Sequence, residues 1–355
     1  MNILAINPGS TSQKVALFDD DRLIFEATDR YSAEELAPFA TVADQKDFRL
    51  QGVLKLLREK GVEVSSIDAV VGRGGLMHPV EGGTYRVNDR MCEDLSAAAY
   101  GSHASNLGGL LAREIARQAG HDQAFIVDPV VVDEMDEVAR ITGLTQVKRR
   151  SCFHALNQKA IARRIAAERG VRYEDLNLVI AHLGGGITVG AHKKGRVIDV
   201  TNGLDGEGPF SPERSGVLPT GPMLELAFSG QYTKAEMYKM LAGRGGLVSL
   251  LGTTDMREVE RRYLEGDAQV VPVFEAMAYN VAKEMGGKAV ALEGKVDALV
   301  LTGGIAYCKP FVELVTKKVQ FIAPVLVYPG EDELGALAQG ALRVMKGQEE
   351  PKEYL

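Results

Sequence analysis

Apolar residues recur along this chain with two different periods. The helical period appears three times: at Leu156, Ala160, Ile161 and Ile165; at Ala278, Val281, Ala282, Met285, Ala289 and Leu292; and at Leu334, Leu337, Ala338, Ala341, Leu342 and Met345. Each set falls on one side of a helix and predicts an amphipathic segment with that side inward. Gly294 supplies a stop signal for the middle one. Short continuous apolar runs at residues 67–71, 124–127, 298–301 and 325–327 read as buried strands feeding loops. Strands and helices mixed in this way define an α/β chain, whose ligand sites sit at strand ends.

The strongest organisational signal is an internal repeat. Ile3-Leu4-Ala5-Ile6 runs into NPGSTS, then KVALF, an acidic turn and RLIFE; Leu178-Val179-Ile180-Ala181 runs into HLGGG, then ITVGAH, the turn KKG and RVIDV. Both read strand, turn, strand, turn, strand. An offset of 175 residues sets Asn7 on His182 and Gly9 on Gly184, close to half of the 355-residue chain. The repeat predicts two related α/β halves, each opening with a β-meander, and the length suits two domains of roughly 150 residues or more. The expected domains are 1–150 and 151–355, with the final helix able to pack back on the first.

Composition narrows the class. A net charge of −7 argues against a general nucleic-acid binder but leaves small anions, which local charges can hold. No apolar run reaches the roughly 18 residues of a membrane span. The start lacks the basic and long apolar regions of a secretory leader, and Asp19-Asp20-Asp21 follows soon after. Cys92, Cys152 and Cys308 lie far apart without a CxxC and read as reduced thiols of a cytoplasmic protein, not as a metal knuckle. The final stretch, GQEEPKEYL, reads as a loose polar end or the edge of a lid.

Neither GxxxxGK[ST] nor a strand-linked GxGxxG occurs, so a nucleotide would be held by another route. Three glycine-bearing turns follow predicted strands: NPGSTSQK at 7–14, HLGGGI at 182–187 and LTGGI at 301–305. Any one of them is an ordinary tight turn. Together, with two at matching places in a repeat, they predict a phosphate clamp at the cleft between the halves, because glycine lets backbone N–H groups approach an anion. Ser10, Thr11 and Ser12 add donors and Lys14 a charge. Arg73, in RGGLMHP, and Arg214, in DGEGPFSPERSG, are flanked by Gly and Pro, and their forks suit phosphoryl or carboxylate oxygens. Asp128 ends a strand before Pro129 and reads either as a turn cap or as a carboxylate that orients Mg²⁺ or a reacting group. His154 reads as a helix cap, a packing residue or a functional group, and His182 is open in the same way. Asp332 and Glu333 open the last helix, where acids suit the helix dipole or a water-mediated magnesium contact.

These stretches, with VVGRGGLMHPVEGGTYRVN, HASNLG, DPVVVDE, FHALNQKA, AHLGGGITVGAH, GRVIDVTNGLDGEGPFSPERSG, LTGGIAY and YPGEDE, resemble the butyrate and branched-chain fatty acid kinases of the acetate kinase family, within the actin/hexokinase/heat-shock ATPase superfamily. The resemblance runs in order along essentially the whole chain. It implies duplicated ribonuclease H-like domains of the actin-like ATPase type with an active-site cleft between them. The reaction it implies joins ATP, with Mg²⁺, to a short-chain carboxylate to give acyl phosphate and ADP. Asn7, Ser10, Ser12 and Lys14 then form the first phosphate and magnesium loop. Arg73 and Arg214 clamp the carboxylate and the transferring phosphoryl, Asp128 is the catalytic carboxylate, and His154 contacts the phosphoryl. His182, Gly184, Gly185 and Gly186 make the second phosphate loop, Gly303 and Gly304 the adenosine site, and Asp332 or Glu333 a further magnesium contact beside that of Asn7. The resemblance also implies a homodimer or an assembly of dimers that takes a nucleotide and a short-chain carboxylate, with no nucleic acid and no membrane as partner.

The chain departs from acetate kinases in three places. Their Gly-Asn-Gly is Gly184-Gly185-Gly186, a valine two residues after the clamp arginine is Gly75, and a leucine before their HNPANL stretch is replaced by Ser102. With Phe153, Gly75 and Ser102 are expected to line the acyl pocket. The two smaller residues predict room for C4 to C5 acids, since about 0.8 kcal/mol per buried CH₂ makes two methylenes worth ~10-fold or more. An acetate- or propionate-preferring enzyme is the alternative within the family. A hydroxyl-acceptor kinase using Asp128 as base and an actin-like ATPase share the fold class; acceptor type and ATP-dependent light scattering separate them.

Overall fold

A computed structural model describes residues 1–355. The first meander forms as its pattern predicts: β1 (Asn2–Pro8), β2 (Ser12–Asp19) and β3 (Arg22–Arg30) pair antiparallel in succession. Three more strands, β4 (Ala69–Arg73), β5 (Thr84–Arg86) and β6 (Ala124–Val127), join the same sheet. The order across it is β3-β2-β1-β4-β6-β5, with β4 parallel to β1, β6 parallel to β4, and β5 antiparallel to β6. The second meander is β7 (Asn177–Leu183), β8 (Ile187–Lys193) and β9 (Arg196–Val200), followed by β10 (Ala298–Gly303) and β11 (Val325–Pro329). Its order is β11-β10-β7-β8-β9, with β10 and β11 parallel to β7. Read from the meander inward, the two sheets share one five-strand topology, to which the first adds β5 at its far edge.

The duplication reaches individual side chains. The Asn2 backbone N–H donates to Asp68 Oδ2 at 2.7 Å and its side-chain amide to the Ser66 carbonyl at 2.9 Å. Asn177 repeats both bonds, to Asp297 Oδ2 at 2.7 Å and to the Lys295 carbonyl at 3.0 Å. In each sheet this pin fixes the start of the first meander strand against the parallel strand beside it.

Apolar faces explain the layers. Leu4, Ile6, Val15 and Leu17 pack with Leu57 of the helix Lys46–Glu59 and with Leu111 and Ile115 of the helix Asn106–Ala119. In the second sheet β7 buries both faces: Val179, Ala181 and Leu183 join the cluster that holds the helix Val270–Ala291, while Leu178 and Ile180 join Ala162, Ile165 and Ala166 of the helix Ala155–Glu168. Burial on both sides is why these strands read as continuous apolar runs. The helix before Lys295 ends at Ala291, short of Gly294, because Glu293 and Gly294 both take positive φ and unwind it.

The chain divides into two compact units, Met1–Val132 with Asp332–Leu355, and Asp133–Glu331. Residues 133–150, expected in the first domain, group with the second unit. Glu134 makes a buried ion pair with Lys159 at 2.9 Å, and Arg149 reaches Asp199 and Glu207 at 2.9 Å each. The helix Glu333–Met345 packs on β1, β4 and β6 of the first sheet. The tail expected to be loose is tied down. Lys352 bonds the backbone of Thr84 and Arg86, and Tyr354 is 2% exposed with its hydroxyl donating to Asp94 at 2.8 Å. All three cysteines are free thiols, Cys308 buried and the others partly so. No helix is long and apolar enough to cross a membrane.

Candidate functional site

In the first unit the turn at 7–14 joins β1 to β2, with Ser10, Thr11 and Lys14 exposed and Asn7 nearly buried. Glu333, the first residue of the last helix, gathers two of the expected residues. Its Oε2 accepts from Asn7 Nδ2 at 2.5 Å, and its Oε1 pairs with Arg73 Nη1 at the end of β4. Asn7, Arg73 and Glu333, separated by up to 326 positions, thus meet. Asp332 does not join them: its carboxylate accepts from the Gly335 N–H at 2.8 Å and caps the helix. No group of three or more His, Cys, Asp or Glu side chains could hold a metal ion. The acids here do not form a protein cage for a cation, and both oxygens of Glu333 are engaged by Asn7 and Arg73.

Asp128 is 1% exposed and sits at φ 38°, an uncommon backbone region for a residue with a side chain. Its carboxylate accepts from the Gly83 N–H at 2.7 Å while its own N–H donates to the Gly83 carbonyl at 3.0 Å. It therefore pins the end of β6 to the loop before β5. His103, in HASNLG, was not singled out by its sequence setting. Its Nδ1 accepts from the Ser105 N–H at 3.2 Å, and burial together with the charge of Arg73 pushes its pKa down.

In the second unit His182, expected at the first residue of the glycine turn, lies inside β7 and pairs with Thr188 and Thr302. The turn after β7 carries Gly184–Gly186, and Gly303 closes against it from the end of β10, where a Cβ would collide with the Leu183 carbonyl. His154 precedes the helix Ala155–Glu168 without capping it and stacks on His182, ring centroids 3.9 Å apart and 14° from parallel. His182 Nδ1 lies 2.8 Å from Asn157 Oδ1. A buried chain of polar groups then orients His154. Gln158 Nε2 is 3.1 Å from both the carbonyl oxygen and Oγ1 of Thr188. A carbonyl only accepts, so the Gln158 amide turns its nitrogen to Thr188 and its oxygen to His192. His192 Nε2, 3.0 Å from that oxygen, carries a proton, and its Nδ1 accepts from the Tyr173 hydroxyl at 2.6 Å. Thr188 Oγ1 accepts from Gln158 and lies 2.8 Å from His154 Nδ1. With the Thr188 hydroxyl as donor in that bond, neutral His154 holds its proton on Nε2. Gln158 escaped sequence reading although it lies four positions after His154, the spacing that shares a helix face.

Arg214 is the outlying charge of this unit. Its guanidinium lies across the backbones of Gly186 and Gly203, where a Cβ on either would overlap it. Burial pushes its pKa down, against weaker attraction from Cys152 and Glu213. It makes no ion pair and no side-chain hydrogen bond. Nearby, Ser211 Oγ donates to the Gly185 carbonyl at 2.6 Å and the Glu213 N–H to the same oxygen at 3.2 Å, which holds the glycine turn in place.

The acyl-pocket residues are not brought together by the first unit. The space beside Gly75 is filled: a Cβ there would lie 2.6 Å from Asn106 Cα and 2.8 Å from a Leu95 methyl. The missing side chain reflects this close approach, and a valine would strike Asn106 before it could shorten an acyl pocket. Ser102 is exposed, and Phe153 is 3% exposed in the second unit.

Two sheets of one topology, each with a glycine turn after its first meander strand, define a duplicated actin-like ATPase fold. A family model described as the acetokinase family matches residues 121–324, which is 204 of 355 positions. The chain belongs to the acetokinase family, and so to the phosphotransferases with a carboxyl group as acceptor. Solved structures agree on the fold. The acetate kinase of Porphyromonas gingivalis is 20% identical with a TM-score of 0.78, covering 97% of this chain and 99% of that one. A propionate kinase from Francisella tularensis subsp. tularensis SCHU S4 is 19% identical with a TM-score of 0.74, covering 96% and 98%. A ROK family protein from Streptococcus pneumoniae TIGR4 is 13% identical with a TM-score of 0.53, covering 98% and 100%.

Proposed function

We propose that this protein transfers the γ-phosphoryl of ATP to a short-chain fatty acid, butyrate or a branched C4 to C5 acid, forming an acyl phosphate and ADP. The observation that carries the phosphoryl-transfer reading is Arg214, a half-buried guanidinium with no anion of its own laid over the Gly186 backbone. A carboxylate nucleophile is already ionised at pH 7, since carboxyl pKa values lie near 4, so it needs no general base. It needs placement and relief from the charge of the triphosphate. Arg73, aimed by Glu333, holds the carboxylate. Arg214 offsets charge on the phosphoryl group in flight, and His154 donates to it through Nε2–H. Ser10, Ser12 and Lys14 hold phosphates with Asn7, and the turns at Gly184–Gly186 and Gly303–Gly304 receive the nucleotide. Mg²⁺, bound to the phosphates, supplies charge neutralisation there. Asp128 acts as a positioning residue through the loop it pins.

The C4 to C5 preference rests on the matching stretches from VVGRGGLMHP to YPGEDE. The filled space beside Gly75 favours a second reading, a kinase for acetate or propionate. Trapping of acyl phosphate as hydroxamate, with ATP, Mg²⁺ and acids from acetate to isovalerate, decides between them. A maximum at C4 to C5 is the expected result. A maximum at acetate overturns the acyl preference, and no trapping with any acid, in folded protein that binds ATP, overturns the activity.

A further inference from the structure

We infer that Arg49 is a positioning residue of the turn at 7–14: a buried guanidinium that gathers the turn's carbonyl oxygens on its inner side and leaves the outer side for an anion, which on the reading above is a nucleotide phosphate. Arg49 lies in the helix Lys46–Glu59 and is 0% exposed. Its Nη1 donates to the carbonyls of Gly9 at 2.9 Å and Ser12 at 3.0 Å, and its Nη2 to that of Ser10 at 3.0 Å. The one remaining carbonyl of the stretch, that of Thr11, accepts from the Tyr31 N–H at 2.9 Å. Four consecutive carbonyls, 9 to 12, are thereby taken from within.

A trans peptide sets its C=O and N–H on opposite sides, and the chain has no cis bond. With the Gly9 and Ser10 carbonyls turned inward, the N–H groups of Ser10 and Thr11 turn outward, on the side where both residues are exposed. An anion then meets donors and hydroxyls and none of the four oxygens that would repel it. The guanidinium is fixed in turn: its Nε donates to Gln45 Oε1 at 3.0 Å and it lies 4.8 Å from the Tyr31 ring centre. It has no carboxylate partner, and burial pushes its pKa down. A buried cation matched only by carbonyls is costly as a brace. It is well suited to set positive potential beneath an anion through low-dielectric protein.

Arg49→Lys keeps the charge and loses the fork that spans three carbonyls. The expected result is a fall of about 10-fold or more in kcat/KM for ATP with the carboxylate KM unchanged. A folded variant with wild-type kcat/KM for ATP overturns the inference, and so does a loss shared equally by both substrates, which marks general loosening. If Arg49→Lys does not fold, Gln45→Leu, which frees only Nε, is expected to lower the same constant by about 3-fold; no change there also overturns it. Wild-type protein that makes no acyl phosphate fails the functional reading alone. Arg49 is then judged by the rise in melting temperature on adding ATP, which Arg49→Lys is expected to lose and whose retention refutes its role.

Discussion

Replacing Arg214 by leucine separates a group held for chemistry from a group held for the fold. The guanidinium is packed against Gly186 and Gly203 and makes no ion pair or side-chain hydrogen bond. Its burial works against its charge, and only weaker attractions to Cys152 and Glu213 oppose that. Removing such a cation deletes no contact the fold relies on and relieves a desolvation cost. The melting temperature is expected to hold or to rise by about 2–4 °C, the equivalent of ~1 kcal/mol in a unit of this size. Catalysis responds in the opposite sense. Loss of a donor aimed at developing phosphoryl charge costs about 3–4 kcal/mol, which lowers kcat by about 10²–10³-fold. Because the interaction grows in the transition state, KM for ATP changes little. Arg214→Lys is expected to recover little, since an ammonium on a flexible stem does not lie flat across two glycines. Hydroxamate kinetics and thermal melting on the same preparations provide both readouts. An unchanged kcat removes Arg214 from the mechanism, and a drop in melting temperature of more than about 5 °C makes it a structural brace and refutes the reasoning.

Three further outcomes are expected. Gln158→Leu leaves Thr188 and His192 without their partner, so stability falls by about 2–3 kcal/mol, kcat falls by about 10-fold with both KM values held, and the ¹⁵N signature of an Nε2-protonated His154 is lost; an unchanged His154 signature refutes the relay. Tyr354→Ala removes a side chain that is 2% exposed and bonded to Asp94, costing about 3–5 kcal/mol and lowering the melting temperature of the first unit by roughly 10 °C; a change under about 2 °C shows the tail to be dispensable. Burial pushes the Cys308 thiol up to about 12. The fold therefore favours the neutral thiol, a contribution present below pH 9 and lost as pH rises toward 12, so alkaline unfolding of Cys308→Ala is less steep over that window than that of the parent. Equal slopes refute it.

The meanders were legible because strand alternation, turn chemistry and repetition agree within about 30 residues of sequence. The 175-residue offset places the first residues of β1 and β7, Asn2 and Asn177, in register. Local signals also marked the glycine turns and the two arginines. What they could not supply was partnership at a distance. Glu333 looked like an acid suited to its helix dipole, yet it joins Asn7 and Arg73 across most of the chain. Gly75 looked like an emptied pocket, yet its surroundings are set by Asn106 and Leu95. The C-terminal stretch looked polar and loose because one tyrosine in nine residues carries no periodic signal, yet buried Tyr354 and the backbone bonds of Lys352 anchor it.

Arg49 was missed for a related reason, and its placement gives the two halves a common logic. In a duplicated fold the turn after the first strand is a position that both halves inherit, and the proposed mechanism places a phosphate at each. The first half fills it with hydroxyls and the second with glycines. Each has an arginine against that turn with no carboxylate to neutralise it: Arg49 beneath the carbonyls of 9, 10 and 12, Arg214 over the backbone of Gly186. Hydroxyls bring their own donors, so the first turn needs its oxygens drawn away, and a guanidinium buried underneath does this. Glycines bring only backbone, so the second turn leaves room for a guanidinium to lie directly on the surface that an anion would meet. Arg73, by contrast, is paired with Glu333. In the proposed mechanism its role would thus be set by direction more than by net charge. Exchange of roles is therefore not expected: glycines in place of Ser10 and Ser12 should weaken ATP binding, measured by titration, even with Arg49 intact, because drawing the carbonyls inward cannot replace the hydroxyl donors that are lost; unchanged ATP affinity refutes this.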